Sequence, residues 1–325
     1  MSIPRIAVVG SYATGLTLKV KRLPSTGETV LASGYRVDYG GKGSNQAVGC
    51  ARLGMEVAFL ASIGKDSFGE MALRLFREEG IDVSFVRQTS ERPTGVGFIL
   101  VEAGSGNNCI ALDPGANEML SAADIAGCDA ALKSAAVVLT QLEISIAAAE
   151  SALACGRANG ATTILNPAPV RPLPASMMRL IDVLTPNQTE AKVLTGRSPD
   201  AAVEPEEVAR DLIRAGVRQV VTTLGEKGAL IVTASSSKHV PAIRVQAVDT
   251  TGAGDAFNAG LASALACGED IKSAVEFAVV TGGLAVTRDG VIPSLPKRAD
   301  VLQHYGQHGS GPPDWLLSLE TTRSA

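Results

Sequence analysis

The residues of this chain best suited to chemistry are an aspartate and the glycine-rich turn before it. The stretch TTGAGD ends at Asp255 and continues into a run of small residues with helical character, AFNAGLASALACG. Amide groups at the start of a helix lack intrahelical acceptors and, together with the helix dipole, attract anions. Glycines at positions 252 and 254 would let a ligand approach that backbone closely.

Asp255 stands in the first turn of this predicted helix, where the same field would keep its carboxylate ionised and able to accept a proton. A carboxylate base beside an anion hole is what transfer of a phosphoryl group to a hydroxyl requires. A helix cap without function, following an ordinary glycine turn, explains the same residues about equally well.

A second glycine-rich segment, YGGKGSNQAVGCARLG, runs from Tyr39 to Gly54. It could present Lys42 and Asn45 as donors to sugar hydroxyls, or it could be a flexible turn followed by a helix cap at Ser44 or Asn45. The spacing excludes the phosphate-binding pattern GxxxxGK[ST].

Two further motifs also leave a choice between function and local structure. In TPNQTEA, Asn187 and Glu190 face one side of an opening helix, where they could order a hydrated Mg²⁺ or simply cap the helix. In VTTLGEKGAL, residues 221–230, Thr223 and Gly225 could contact a nucleotide, or the segment could be a hairpin without function.

Composition and charge limit the kinds of molecule that this protein is expected to bind. The chain has 325 residues, a net charge of −4 and no lysine or arginine block, so nucleic acid and anionic membranes are poor partners. Five scattered cysteines without a CxxC pair disfavour a zinc site and a disulfide framework. No apolar run is long enough for a membrane span or a signal peptide, so we expect a cytoplasmic protein.

Short apolar strands alternate with amphipathic helices along most of the chain. Because the strands are continuously apolar, they predict a doubly wound parallel α/β sheet covered on both faces. The predicted strands span 6–10, 57–64, 137–143, 162–167, 182–187 and 219–225. Ligands of such sheets bind beyond the carboxyl ends of the strands, where Glu143, Asn166, Asn187 and Gly225 fall.

Two segments, 16–40 and 94–115, depart from this order of apolar strands and helices. Polar and apolar residues alternate in them, as in exposed antiparallel strands with glycine-rich turns. They predict a small antiparallel β-lid that excludes water from a site at the edge of the sheet. We expect residues 1–307 to form one domain that carries this lid, and residues 308–325 to form a C-terminal tail that Trp315 holds to the surface.

Taken in order, the motifs resemble the PfkB family of carbohydrate kinases, and within it the ribokinases. The resemblance runs from about Ile6 to Arg298. It rests on GGKGxNQAVxxARLG at 40–54, QLE at 141–143, NPAP at 166–169, TPNQTEA, TLGEKGA and DTTGAGDAF at 249–257. It implies ATP-dependent phosphorylation of a primary hydroxyl on a ribose-like sugar, in a homodimer whose lids pack together.

The resemblance also implies a role for each matching position. Asp255 would be the catalytic base, and the anion hole would be formed by the amides of Gly252, Ala253 and Gly254. The sugar would contact Gly41, Lys42, Asn45 and Glu143. ATP would border Asn187, Thr223, Gly225, Gly228 and Gly254, while Glu190 would organise Mg²⁺ through water. A K⁺ loop would comprise Asp249, Thr251, Ala285, Arg288, Gly290 and Ser294.

One departure from the family concerns the sugar. Where ribokinases carry Asn-x-Asp after the first strand, this chain has Ala13 and Gly15, which cannot hydrogen-bond through a side chain. Two lost hydrogen bonds would weaken a ribose-like pose by roughly 2–4 kcal/mol, so we expect free ribose not to be the best substrate. Asp113 could restore a carboxylate, although a turn-forming Asp-Pro pair is the favoured interpretation.

The alternatives are a kinase for a nucleoside, a deoxysugar or a sugar acid, and a sugar- or nucleotide-binding regulator without turnover. The intact Asp255 motif argues against the regulator, and the small residues at positions 13 and 15 argue weakly for it.

Overall fold

A computed structural model describes residues 3–105, 107–308 and 311–319. The described residues form thirteen strands. They are β1 Arg5–Val9, β2 Ala13–Val20, β3 Ala32–Gly40, β4 Glu56–Gly64, β5 Val86–Thr89, β6 Gly95–Glu102, β7 Asn108–Asp113, β8 Ala135–Thr140, β9 Thr162–Leu165, β10 Val183–Leu184, β11 Gln219–Thr223, β12 Ala229–Thr233 and β13 Ser237–Val240.

Helices connect most of the parallel strands, and four of the described helices follow the last strand. Within the described ranges they are α1 Lys42–Arg52, α2 Ser67–Glu78, α3 Ala122–Ala126, α4 Asp129–Lys133, α5 Ile146–Ala158, α6 Ala175–Met178, α7 Gln188–Leu194, α8 Pro205–Arg214, α9 Ala253–Ala266, α10 Ile271–Ala285, α11 Arg298–His308 and α12 Asp314–Ser318. None of these helices combines the length and the apolar composition that crossing a membrane takes.

Nine strands form one large sheet in the order β13-β12-β11-β10-β9-β8-β1-β4-β5. The pairs from β11 to β5 are parallel, and β12 and β13 add an antiparallel edge. Alternate residues of each strand bury on opposite faces, so Ile6 and Val8 join one apolar cluster while Ala7 and Val9 join the other. The predicted doubly wound α/β sheet is therefore confirmed.

Four strands form a second, small sheet in the order β3-β2-β6-β7. Its outer pairs, β2 with β3 and β6 with β7, are antiparallel, but the central pair of β2 and β6 is parallel. The sequence indicated antiparallel strands throughout. The parallel pair arises because two insertions leave the large sheet in the same direction and meet side by side.

Small residues in α9 allow two neighbouring helices to pack closely on it. A β-carbon on Gly49 of α1 would lie 2.6 Å from that of Ala259, and one on Gly260 would lie 2.2 Å from the Thr281 hydroxyl of α10. Core positions are close-packed, so larger residues here would push the helices apart. The small-residue run after Asp255 thus fixes the start of α9 relative to α1.

The C-terminal residues 311–319 continue past α11 and include a short helix. The Trp315 ring packs edge-on against Phe277 at 4.9 Å between centroids, and Leu316 is fully buried. The rest of the predicted tail beyond residue 308 lies outside the described residues.

Candidate active site

A cleft of about 1000 Å³ lies between the small sheet and the carboxyl edge of the large sheet. Its main-domain wall brings together many of the residues singled out in the sequence. These are Gly41, Lys42, Asn45, Glu143, Asp249, Thr251, Gly252, Asp255 and Gly290. The carboxyl ends of strands thus converge where the topology of a parallel sheet predicts.

The turn before α9 has the backbone shape that its glycines predict. Gly252 occupies the N-cap position in the left-handed region with φ of 82°, and a β-carbon there would lie 2.9 Å from Val291. A β-carbon on Gly254 would meet nothing within 4 Å, so the turn is uncrowded at this residue. The amide of Ala253 instead donates to the Thr250 carbonyl at 3.3 Å. In this conformation the amides of Gly252 and Gly254 are better placed than that of Ala253 to receive an anion.

Asp255 is 6% exposed at the base of the cleft. Asn45 Nδ2 donates to its Oδ2 at 2.8 Å, and Gln46 Nε2 donates to its Oδ1 at 2.9 Å. The two amides come from consecutive residues near the N-terminus of α1. Because one hydrogen bond reaches each oxygen, the carboxylate is held in a single orientation.

Burial is the dominant influence on the pKa of Asp255 and raises it, since desolvation disfavours the charged form. The positive charge of Lys42 and the hydrogen bonds from Asn45 and Gln46 oppose this effect, and the negative charge of Glu143 adds to it. The net pKa lies above the ordinary value of an aspartate. A carboxylate with a raised pKa is a stronger base once ionised, which suits proton abstraction.

Glu143 anchors the N-terminus of α1 at the opposite wall. Its Oε2 accepts from the Ser11 hydroxyl at 2.6 Å and from the backbone amide of Lys42 at 2.8 Å. In the described part of the chain, Oε1 accepts no hydrogen bond and remains open to the cleft. Glu143 therefore has a structural role in addition to the sugar contact that the sequence implied.

A buried amide network behind Asp255 was missed by sequence reasoning. Gln46 is fully buried, and its amide group also lies 3.2 Å from Asn166 Oδ1, while its Oε1 accepts from Gln141 at 2.5 Å. The only sequence signal for this role is that Gln46 directly follows Asn45 in a motif already singled out. The network fixes the Gln46 amide so that it donates to Asp255.

The residues predicted to border a nucleotide lie beside this cleft, past the ends of β10 and β11. Asn187 and Thr223 form a parallel bridge, and the Thr223 amide donates to the Pro186 carbonyl at 2.9 Å. Gly225 begins the turn of a hairpin that joins β11 to β12, as the hairpin interpretation predicts. A β-carbon on Gly228 would lie 2.0 Å from the Val240 carbonyl, so close backbone approach accounts for this glycine.

Asn187 and Glu190 form a capping box at the start of α7. Asn187 Oδ1 accepts from the Glu190 amide, and Glu190 Oε2 accepts from the Asn187 amide, both at 2.8 Å. Burial raises the pKa of Glu190, and the charge of Lys42 partly offsets this. The charge of Lys42 therefore favours the ionised form of both Glu190 and Asp255.

The predicted cation loop is partly assembled around Asp249. This carboxylate accepts from the Thr251 amide at 2.9 Å, from the Thr251 hydroxyl at 2.7 Å and from the Gly290 amide at 3.2 Å. Partial burial raises the pKa of Asp249, but these hydrogen bonds outweigh it and hold the pKa below the ordinary value. The Arg288 side chain points elsewhere and pairs with Asp300 at 2.7 Å.

The small residues Ala13 and Gly15 line the cleft on the small sheet. Asp113, considered as a replacement carboxylate, lies on the other face of that sheet. It accepts from the Gly115 amide at 2.9 Å and pairs with Arg92 at 3.3 Å. The turn-forming interpretation of Asp113 is correct.

Comparison with known proteins gives the class that this fold and site define. A model of the pfkB family carbohydrate kinases matches residues 4–298. The chain therefore belongs to the pfkB family and is a carbohydrate kinase, which confirms the resemblance seen in its motifs.

Particular relatives are similar along most of their length. The ribokinase of Haemophilus influenzae is 37% identical over 301 residues, which cover 92% of this chain and 97% of the relative. The deoxyribokinase of Salmonella typhi is 37% identical over 292 residues, which cover 90% and 95%. The structure of Arabidopsis thaliana ribokinase in complex with ribose and ATP superposes with a TM-score of 0.85 at 30% identity, covering 93% and 98% of the two chains.

Proposed function

We propose that the protein transfers the γ-phosphoryl group of ATP to a primary hydroxyl of a ribose-like sugar. The observation that carries this proposal is the buried Asp255 carboxylate, held by Asn45 and Gln46 at the start of α9 and lining the cleft. The ribokinase and deoxyribokinase relatives, and the ribose and ATP bound to the Arabidopsis protein, support the choice of substrates.

In the proposed reaction, Asp255 accepts the proton of the primary hydroxyl while the hydroxyl oxygen forms a bond to the γ-phosphorus. The bond between that phosphorus and the bridging oxygen breaks, and ADP leaves. The amides of Gly252 and Gly254 and the ammonium group of Lys42 stabilise the negative charge that develops. Glu143 and Asn45 orient the sugar on the other side.

Metal ions fit the residues present. Glu190 uses one carboxylate oxygen in its cap, and its Oε1 accepts no hydrogen bond within the described ranges, so it could hold Mg²⁺ through water. No group of three or more His, Cys, Asp or Glu side chains in those ranges could hold a metal. A Mg²⁺ ion that keeps most of its waters and binds ATP requires none.

We propose a K⁺ ion beside Asp249, coordinated chiefly by backbone carbonyl oxygens of the loop that follows α10. The loop is held against Asp249 because the amides of Val248 and Asp249 both donate to the Val286 carbonyl, at 2.7 and 3.3 Å. An ion there would stiffen the turn that carries Thr251 and Gly252. It would thereby shape the anion hole.

We further propose a homodimer that forms through the outer face of the small sheet. On that face Leu16 pairs with Val37 on one side and Phe98 on the other, and both neighbours are substantially exposed. An apolar row on an exposed sheet is a surface that a second copy can cover.

The test of the proposed function is a product assay with ATP and Mg²⁺ against ribose, 2-deoxyribose, larger sugars and nucleosides. We expect ADP formation that depends on a pentose and yields a sugar phosphate. Turnover only with nucleosides would favour the nucleoside alternative. An absence of turnover, with sugar binding intact, would favour the regulator.

A further inference from the structure

A carboxylate on the small sheet faces the position where the sugar site lacks one. Asp38 of β3 lies directly opposite Gly15 of β2 in the antiparallel register, and both line the cleft. The β-carbon of Asp38 is 3.8 Å from the place that a β-carbon on Gly15 would occupy. Side chains at two such positions occupy overlapping space on one face of the sheet.

The orientation of the Asp38 carboxylate is set by a neighbouring arginine. Arg36 lies two residues earlier on the same face, and its Nε donates to Asp38 Oδ2 at 2.5 Å. In the described part of the chain Asp38 Oδ1 accepts no hydrogen bond, and the side chain is 34% exposed. One oxygen is therefore fixed, and the other is free to accept from a ligand in the cleft.

Arg36 is itself held from across the cleft. Its Nη1 lies 3.5 Å from Asp289 Oδ2, on the loop that also supplies Gly290 to the wall. The guanidinium thus bridges the small sheet and the main domain. Through Arg36, Asp38 is thus linked to the main-domain wall of the cleft.

Ala13 has no such replacement. Its partners in the two neighbouring strands are Gly40 and Gly95, neither of which has a side chain. Of the two side chains missing at positions 13 and 15, the small sheet therefore replaces only one, with the Asp38 carboxylate on the strand next to Gly15.

We propose that Asp38 is a specificity-determining residue that accepts hydrogen bonds from secondary hydroxyls of the sugar, and that Arg36 is its positioning residue. The carboxylate comes from β3 because Gly15 of β2 cannot supply it. This inference rests on the proposed sugar kinase function. Removing a charged acceptor should raise the KM for the sugar by roughly tenfold.

The test compares steady-state kinetics of the full chain with ribose and 2-deoxyribose. Asp38→Asn should raise the sugar KM while the KM for ATP stays the same and kcat changes little. Asp113→Asn is the matched control, because it makes the same change on the opposite face of the same sheet and retains the acceptor for the Gly115 amide. It should leave the sugar KM unchanged.

A second experiment moves the carboxylate from position 38 on β3 to position 15 on β2. Gly15 has space for a side chain, since the nearest atom to its β-carbon position is Ile99 Cδ1 at 3.6 Å. Asp38→Gly should weaken sugar binding, and adding Gly15→Asp to that variant should restore most of it. Restoration supports the proposal.

Three results would overturn it. An unchanged sugar KM in Asp38→Asn, with an active wild type, would remove the role of Asp38 and leave the kinase function standing. Equal increases in Asp38→Asn and Asp113→Asn would show a general disturbance of the small sheet. A wild type that neither binds nor phosphorylates any sugar of the panel would overturn both the inference and the proposed function.

Discussion

At the scale of single residues, the chemistry depends on how four side chains set the basicity of Asp255. Burial and the negative charge of Glu143 raise its pKa, Lys42 lowers it through charge, and Asn45 and Gln46 lower it through hydrogen bonds. These opposing effects leave a buried base whose pKa lies above the ordinary value of an aspartate and whose orientation is fixed. The acid limb of kcat/KM reports this pKa in the free enzyme.

The first prediction concerns that limb. A base works only when ionised, so kcat/KM should fall as the pH decreases through the pKa of Asp255. Lys42→Met removes a positive charge that favours the ionised form, and the limb should therefore move to higher pH. Lys42→Arg retains the charge and should leave the limb in place. A limb that is identical in Lys42→Met and wild type would show that Lys42 does not act on Asp255.

Predictions about single residues succeed where a short motif determines the local structure by itself. For Asn187 and Glu190 the sequence allows a cap or a metal contact, and the structure contains the cap. Gln46 was missed because its hydrogen bond joins α1 to α9 across more than 200 residues. Asp38 was missed because the register of β2 on β3 decides which residue faces Gly15, and register is not visible in local spacing.

At the scale of elements, the turn before α9 and the loop after α10 act as one unit. Asp249 ties them together through Thr251 and Gly290. The apolar strands of the large sheet were predictable because continuous apolar runs are typical of buried parallel strands. The parallel pairing of β2 with β6 was not, since it joins two segments that are far apart in the chain.

The second prediction tests that unit. If K⁺ binds beside Asp249 and orders the anion hole, then kcat should be several-fold higher in K⁺ than in Na⁺ or in a bulky organic cation. The salts are compared at constant ionic strength, so that screening is the same in each. Equal rates in all three would exclude an activating ion at this loop.

At the scale of the whole molecule, the small sheet has two different faces. One face lines the cleft with Gly15, Asp38 and the aliphatic residues Ile110 and Leu112, while the other exposes Val37 and Phe98. Assembly and substrate binding would therefore use opposite sides of the same four strands.

The third prediction is that Phe98→Asp yields a monomer. Placing a charge in a covered apolar row costs the desolvation of that charge, so the dimer should dissociate. Leu317→Asp is the matched control, because Leu317 is 50% exposed and Phe98 is 49% exposed, but Leu317 lies on α12 away from the small sheet. Light scattering on a sizing column gives the mass of each variant. A monomeric wild type, or an intact Phe98→Asp dimer, would contradict this interface.

The central claim is that Asp255 is the base of a sugar kinase, and the most direct test is the kcat of Asp255→Asn beside its affinity for ATP. Asparagine has nearly the same shape but cannot accept the hydroxyl proton. We expect kcat to fall by about 10²–10⁴-fold with the dissociation constant of ATP nearly unchanged. Near-normal turnover in Asp255→Asn, with ATP still bound, would contradict the account.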